Sequence, residues 1–297
     1  MQRVLLTGAG GFVGRALAAA LPSPPDVLAM AADDWEVQLA RAPLEGATVF
    51  HLAARAHDAR ERDAAAFRRD NAGKTRRLAE EAARRGARRL VFMSTIKVNG
   101  EESPGRPFTA ADAPDPRDAY ARSKLEAEQA LREVAAATRL EVVTVRSPLV
   151  LGAGARANVA SLIALADSPW PLPFAAIDNR RSFVHVDDLA RLLLVCGDAP
   201  QAAGMTFIAA HRVPMSTPSL LGSLRAALGR PARLFECPAR VLEAAASAAG
   251  QGERMRRLTR SLEADATATE ASLGWSATID LPAAAWEMAR SRREARP

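Results

Sequence analysis

Tyrosine and lysine are almost absent from this chain. Among 297 residues there is one tyrosine, Tyr120, and there are three lysines, Lys74, Lys97 and Lys124, although arginine is abundant. Cysteine is just as scarce. Cys196 and Cys237 are the only two, which suggests neither a disulfide framework nor a metal site, so no metal is expected. A reducing, cytoplasmic setting fits that usage. No apolar run approaches the roughly 18 residues that a membrane-spanning helix needs, so no membrane partner is expected. The N-terminus, Met1-Gln2-Arg3-Val4-Leu5-Leu6, runs into a strand and a glycine turn and does not read as a signal peptide. Net charge is +6, which raises nucleic acid as a partner. Aromatic residues make up only 5% of the chain, so a base-stacking platform is lacking. The densest basic run, Arg84-Arg85-Gly86-Ala87-Arg88-Arg89, falls at a predicted helix end, where cations suit the dipole. It reads as a solvated arginine face, and no nucleic-acid partner is expected.

What the chain does have is a regular alternation of strands and helices. Residues 4–7 read as a buried strand, followed by Gly8-Ala9-Gly10-Gly11-Phe12-Val13-Gly14 and a helix over 15–21. Glycines spaced Gly8-x-x-Gly11-x-x-Gly14 between a strand and a helix let backbone N–H groups approach a pyrophosphate at the positive helix end. A plain glycine turn is the other reading. A second strand covers 26–30 and a helix 34–42. A dinucleotide site often carries an acid at the end of this strand to hold ribose hydroxyls, and Asp33 is the candidate, the alternative being a cap for the helix. Residues 48–54 read as a third strand whose small terminal residues, Ala53 and Ala54, suit a flat cofactor. A charged stretch follows over 55–63, then a long helix over 64–85 that contains Asn71. A strand over 90–95 ends in Ser94 and Thr95, a loop covers 99–116, a helix 118–137 and a strand 141–145. This pattern implies an α/β fold with a doubly wound parallel sheet and ligands at the strand C-termini. Beyond Pro148 come a helix over 158–166, a strand over 183–186, a helix over 188–196 capped by Asp187, and a last strand over 205–208. Residues 214–297 are mostly helical, ending in a helix over 281–292.

The helix over 118–137 carries the most informative spacing. Asp118 is its N-cap, after Pro114 and Pro116. Tyr120 and Lys124 are four residues apart, so both side chains leave the helix on one face. A free phenol has a pKa of about 10 and is a poor base at neutral pH. An ammonium about 4 Å away would lower it by roughly three units, into the range where general acid/base catalysis works.

Taken together and in order, several motifs resemble an extended short-chain dehydrogenase/reductase of the NAD-dependent epimerase/dehydratase family. They are Thr7 through Gly14, His51-Leu52-Ala53-Ala54, Ser94-Thr95 before Gly100, Tyr120-x-x-x-Lys124, Arg146 through Gly152, and Arg181-Ser182-Phe183-Val184-His185-Val186-Asp187-Asp188. The segments Ile96 through Glu101 and Asp178 through Ser182 are most similar to bacterial UDP-sugar epimerase-like proteins of polysaccharide biosynthesis, which include UDP-glucose 4-epimerases and UDP-N-acetylquinovosamine 4-keto reductases. The resemblance implies a Rossmann-type domain over 1–152, to which 183–210 returns, and a smaller nucleotide-sugar-binding domain over 153–297. It implies that Gly8, Gly11, Phe12, Val13, Gly14, Leu52, Ala53, Ala54 and Pro148 hold the coenzyme. Tyr120 would exchange the proton of a sugar hydroxyl while hydride moves at C4. Lys124 would hold the nicotinamide ribose, Thr95 would bond the same sugar oxygen, and Asn71 would order the helix behind the lysine. Asn158 and Arg181 would meet the UDP diphosphate, since a guanidinium bonds two phosphate oxygens at once. A second late arginine is expected, with Arg256, Arg257 and Arg260 all open. Each has a plainer reading: a turn cap for Thr95, a surface residue for Arg181, a solvated helix position for Asn71. His51 and His185, in strands, read as structural.

Two departures from the family pattern matter. Only 36 residues separate Gly14 from His51, where the family fits two strands and two helices, so one strand–helix unit is expected to be shortened or missing. That leaves Asp33 and the choice of NAD over NADP open, although no arginine adjoins Ala31 and the balance leans to NAD. Family dehydratases carry an Asp-Glu pair after the threonine. Here those positions are Ile96 and Lys97, which leaves 4,6-dehydration without an acid/base couple. Lys97 either steadies substrate charge or is solvated. The resemblance implies an NAD-dependent 4-epimerase or 4-keto reductase of a UDP-sugar; a non-catalytic NAD(P)-binding sensor or scaffold is the alternative. A homodimer through the helices over 64–85 and 118–137 is also implied.

Overall fold

Neighbouring apolar residues in the strands go to opposite faces. Leu5 and Leu6, Val49 and Phe50, Leu90 and Val91, and Val142 and Val143 each divide between two core clusters. A strand that buries both faces needs helices on both sides, which is the parallel-sheet arrangement. The computed structural model describes residues 3–55, 63–103, 105–155 and 158–294. In chain order, β1 (Val4–Thr7) leads into α1 (Phe12–Ala20), β2 (Asp26–Leu28), α2 (Trp35–Arg41) and β3 (Thr48–His51). One long helical stretch follows, made of α3 (Ala64–Phe67), a π turn (Arg68–Gly73) and α4 (Lys74–Arg84). Then come β4 (Arg89–Thr95), a 3-10 turn (Ile96–Val98), α5 (Ala119–Ala137), β5 (Glu141–Ser147), β6 (Leu149–Leu151), α6 (Asn158–Ala166), β7 (Phe183–His185), α7 (Val186–Asp198) and β8 (Thr206–Ile208). The rest is helical: α8 (Thr217–Ala227), α9 (Ala239–Ala248), α10 (Gly252–Thr259), α11 (Thr267–Leu273) and α12 (Leu281–Glu294).

Six strands form one parallel sheet in the order β2-β1-β3-β4-β5-β8. Residues of α1 and α7 fill the core on one face, and those of α2, α4 and α5 the core on the other. β6 and β7 pair separately, beside a third core built from α6, α8 and α12. The chain crosses from β2 to β3 over β1, which makes the crevice between β1 and β3 the switch point of the sheet. Between α1 and β3 there is one strand and one helix, so the shortened unit expected from the sequence is a single strand outside β1.

Several boundaries differ from the sequence reading. α1 begins at Phe12 and not at residue 15, because Gly11 is its N-cap and the amide of Arg15 already bonds Gly11. β2 stops at Leu28, where the Ala29 amide turns to the side chain of Gln38. β3 stops at His51, since the Leu52 and Ala53 amides fold back onto Thr7. The helix after β7 starts at Val186, and His185 rather than Asp187 is its cap, its Nδ1 accepting from the Asp187 amide at 3.2 Å. The charged stretch expected over 55–63 falls for the most part outside the described residues.

Of the basic run 84–89 only Arg84 is a solvated arginine; the other three are drawn into the fold. Arg85 donates to the carbonyls of Leu39 and Ala40 at the end of α2. Arg88 reaches Thr48 and the Gly197 carbonyl. Arg89 is 1% exposed and donates to the carbonyls of Cys196, Gly197 and Ala199 at the end of α7, with Glu141 as its counter-ion at 2.6 Å. These side chains satisfy helix C-termini other than their own, which hydropathy along the chain does not reveal. Arg89→Met should therefore cost about 3 kcal/mol, because three carbonyls lose their charged donor. Urea unfolding of the two proteins checks this, and a loss below about 1 kcal/mol would mean that water replaces the guanidinium.

Candidate functional site

The turn after β1 is shaped by what it cannot accommodate. Gly8 has φ +74°, and a Cβ there would lie 2.7 Å from the Ala53 nitrogen. A Cβ on Gly14 would lie 2.0 Å from the Gly8 carbonyl oxygen. The exit of β1 thus touches the exit of β3 through backbone alone, and α1 packs directly on the turn. The Gly11 amide closes the turn on Gly8 at 2.9 Å. Amides of a first helical turn have no acceptor within the helix and face outward as an anion site. Phe12 and Val13 begin that helix. Leu52 and Ala53 are half-buried and Ala54 is exposed beyond β3, and Pro148 is buried between β5 and β6. This cradle fits a pyrophosphate. Asp33 is exposed in the turn before α2, whose N-cap position falls to Asp34.

Beneath the cradle runs an ordered chain of hydrogen bonds. Ala53 N donates to Thr7 Oγ1 at 3.1 Å, and Thr7 Oγ1 lies 2.7 Å from His51 Nδ1. His51 Nε2 lies 2.8 Å from Thr75 Oγ1, which donates to the Asn71 carbonyl at 2.5 Å. Since the Thr75 hydrogen is spent on Asn71, His51 must donate from Nε2. Burial, reinforced by Lys124, lowers its pKa to about 3, so the ring is neutral and Nδ1 accepts from Thr7. Asn71, 1% exposed, continues the chain: Nδ2 donates to Ser123 Oγ at 3.0 Å, and Ser123 donates to the Tyr120 carbonyl at 2.7 Å. Asn71 also bonds both backbone groups of Arg55. It is a buried strut between the β3 exit and α5, and not a solvated helix position.

Asp118 caps α5 as expected, accepting from the Ala121 amide at 2.7 Å. Tyr120 is half-buried and packs edge-on against Phe67, ring centroids 6.2 Å apart. Lys124 is 3% exposed and holds its ammonium 4.0 Å from the centre of the Phe92 ring. The expected depression of the phenol pKa is not what this structure has. Burial and the Asp118 carboxylate push Tyr120 up to about 12. Burial, opposed by Glu128, brings Lys124 down to about 7. The ammonium spends its field on Phe92 and His51 below, and burial weakens the charge itself. Thr95 ends β4, and its Oγ1 accepts from the Lys97 amide at 3.3 Å, which is the turn cap of its plainer reading.

Sequence reasoning missed Glu128. It lies fully buried on the Tyr120–Lys124 face of α5, accepting from Ser94 Oγ at 2.5 Å and from Arg146 at 2.6 and 3.1 Å. Arg146 also reaches Asn99 at 3.1 Å. Its signal was available: Glu128 is four residues beyond Lys124, and Arg146 is a lone charge in an apolar strand that must find a partner.

In front of α5, charges of both signs converge. Lys97 pairs with Glu101 at 2.7 Å and with Asp118, and Arg257 faces Glu101 at 3.7 Å and Asp118 at 3.9 Å. Arg181 donates to the Arg260 carbonyl at 3.0 Å. Burial, opposed by Glu101 and reinforced by Arg257, brings its guanidinium down to about 10. Asn179, also missed, is buried and ties Thr217 to the carbonyls of Leu258 and Arg260, which fixes the end of α10. Of the late arginines, Arg260 is held by Glu243 at 2.6 and 2.8 Å, whereas Arg256 and Arg257 line a cleft of about 720 Å³ with Asn99, Glu101, Phe108 and Asp118. Asn158 opens α6, and its side chain lies outside the described residues.

Residues 4–208 match the model of the NAD dependent epimerase/dehydratase family. The chain belongs to that family. It is 36% identical over 296 residues to a UDP-glucose 4-epimerase of Vibrio cholerae, with 92% of this chain and 90% of the relative covered. Among solved structures it is similar to UDP-glucose 4-epimerase from Thermotoga maritima with UDP-glucose, at TM-score 0.80 and 20% identity over 99% of each chain. A short-chain dehydrogenase/reductase superfamily protein from Agrobacterium tumefaciens with bound NAD gives TM-score 0.75 and 23% identity, over 99% of this chain and 98% of that one.

Among the described residues of this epimerase/dehydratase family member, no group of His, Cys, Asp and Glu could hold a metal ion, and no helix is long and apolar enough to cross a membrane. The neutral histidine has a measurable consequence. Unfolded, His51 titrates near 6.5; folded, near 3. Between those values the unfolded chain holds the extra proton, so lowering the pH favours unfolding. Between pH 6.5 and 5, stability should fall by on the order of 1 kcal/mol per unit from this residue. In His51→Gln that part of the slope should disappear. Equal slopes in chemical denaturation of both proteins would show that His51 is not held neutral.

Proposed function

We propose that this chain is a nicotinamide-coenzyme-dependent enzyme that moves hydride at C4 of a UDP-sugar, with Tyr120 exchanging the hydroxyl proton. The observation that carries the reading is the join between two halves of one site. Asn71 bonds the backbone beyond β3, next to the glycine cradle, and also Ser123, inside the helix turn between Tyr120 and Lys124. A nicotinamide coenzyme bound there supplies or accepts the hydride. Gly8, Gly11, Phe12, Val13 and Gly14 would hold its pyrophosphate, and Leu52, Ala53, Ala54 and Pro148 would flank it. Lys124 would hold the ribose.

The local chemistry supports the roles. A phenol pushed up to about 12 keeps its proton at neutral pH and serves as a donor to a carbonyl oxygen. Thr95 accepts from the Lys97 amide, which leaves its own O–H to donate to that same oxygen. Arg181 and Arg257 approach the cleft from the C-terminal part of the chain and suit a diphosphate, and Lys97 adds a third cation. Ile96 and Lys97 stand where a dehydratase needs two carboxylates, so loss of water is not the reaction. The relative named as a UDP-glucose 4-epimerase and the solved epimerase with UDP-glucose support the substrate class.

Tyr120→Phe removes the proton and leaves the ring. Turnover of a UDP-sugar or its 4-keto form should drop by roughly 10² to 10⁴, while coenzyme affinity stays within about twofold. Chromatography of the nucleotide sugars, with coenzyme binding followed by fluorescence, reads both. Wild type and variant behaving alike would leave a coenzyme-binding protein without this chemistry.

A further inference from the structure

The outer edge of the sheet is where this chain departs from what a dinucleotide site provides. Each half of a doubly wound nucleotide fold is ordinarily three strands, and the adenosine ribose is met by an acid at the end of the second. Here, among the described residues, the first half has two strands, and β2 is the edge of the sheet. β2 is three residues long, with Asp26 exposed and Val27 58% exposed. Asp33, the acid nearest in sequence, is exposed five positions past its end.

Lys74 reaches the end of that strand. It begins α4, and its ammonium donates to the Met30 carbonyl, just beyond β2, at 2.8 Å. It lies 3.7 Å from Asp70 and 5.4 Å from the centre of the Trp35 ring. The side chain is only 21% exposed. Asp70 is itself shared with Arg55 at 2.8 Å and Arg69 at 3.3 Å, so it is not an acceptor waiting for a ribose. On the side of β2 the described sheet is thus one strand short, and a lysine is drawn across the end of that strand.

We infer that this chain does not retain its coenzyme between turnovers, and that it is a net reductase of a 4-keto sugar rather than an epimerase with a closed redox cycle. The sugar half of this inference rests on the function proposed above. A closed cycle requires the reduced coenzyme and the ketone to stay together until hydride returns, so the coenzyme must be gripped along its whole length. A site that grips one half exchanges. In the reduction, C4 of the ketone accepts hydride from NADH or NADPH, and the former carbonyl oxygen takes the Tyr120 proton. The products are a secondary alcohol and the oxidised coenzyme, which departs, and Tyr120 is reprotonated from solvent.

The test begins without sugar. Purified protein is denatured and its released nucleotides are separated by chromatography. Less than about one-tenth equivalent is expected, and NADH and NADPH titrated by fluorescence should bind with Kd on the order of 10 μM or weaker, as co-substrates do. Near-stoichiometric NAD carried through purification overturns the inference. Lys74→Gly should tighten binding at least about threefold by freeing the end of β2; weaker binding would make Lys74 a contact to the coenzyme and overturn this reading of Lys74. With sugars added, a UDP-4-keto sugar should be reduced with one NAD(P)H consumed per alcohol formed. Isomerisation of a UDP-sugar by the protein as purified, without added coenzyme, overturns the reductase assignment. If no sugar reacts but the protein is coenzyme-free and binds weakly, the proposed substrate fails while coenzyme exchange stands.

Discussion

A neutral imidazole joins the exits of β1 and β3 to the helix that carries the tyrosine. Each donor in that chain has one acceptor: Ala53 to Thr7, Thr7 to His51, His51 to Thr75, Thr75 to Asn71, Asn71 to Ser123, Ser123 to the Tyr120 carbonyl. A buried polar network is costly when incomplete and rigid when complete. Because every hydrogen is assigned, the relative position of the glycine cradle and the Tyr120–Lys124 face is set by geometry and not by loop conformation. Lys124 reinforces the order, since its field opposes a second proton on the ring.

The same logic recurs on the other side of α5. Glu128 and Arg146 are both withdrawn from water, and such a pair gains little net stability over apolar residues. What it does is specify position. The carboxylate holds Ser94 one residue before Thr95, and the guanidinium holds Asn99 at the entrance to the cleft. In front, at the cleft, Lys97 and Arg257 share the carboxylates of Glu101 and Asp118.

Much of this was legible in the order of residues. Doubly apolar strands, a glycine turn and an i, i+4 Tyr–Lys pair are local patterns, and local patterns survive in sequence. The short interval before His51 correctly announced a lost strand. Less local facts were not readable. Arg89 looks like one of several surface arginines until the fold brings the end of α7 against it. Asp187 looks like a helix cap because it is an aspartate, yet the ring of His185 reaches its amide first. Lys124 looks like the means of acidifying Tyr120; three-dimensional packing instead turns its ammonium to Phe92, and burial raises the phenol. Glu128 and Asn179 were visible as residues but not as partners, because their roles depend on contacts from distant segments.

One turn of the long helix before β4 is wound with an extra residue, Arg68–Gly73. Such π bulges are single-residue insertions that the surrounding helix absorbs without breaking. The register on either side is therefore locked. Excising one residue of that turn would restore an ordinary α ladder and leave the flanking segments close to their present phase, because the widened turn has already taken up the extra residue. Leu78 and Ala82 would stay in the core, whereas Asn71, which lies inside the widened turn, would lose its line to Ser123. The segment is a slack turn in the chain: a change in its length is taken up locally, and what it alters is the aim of Asn71.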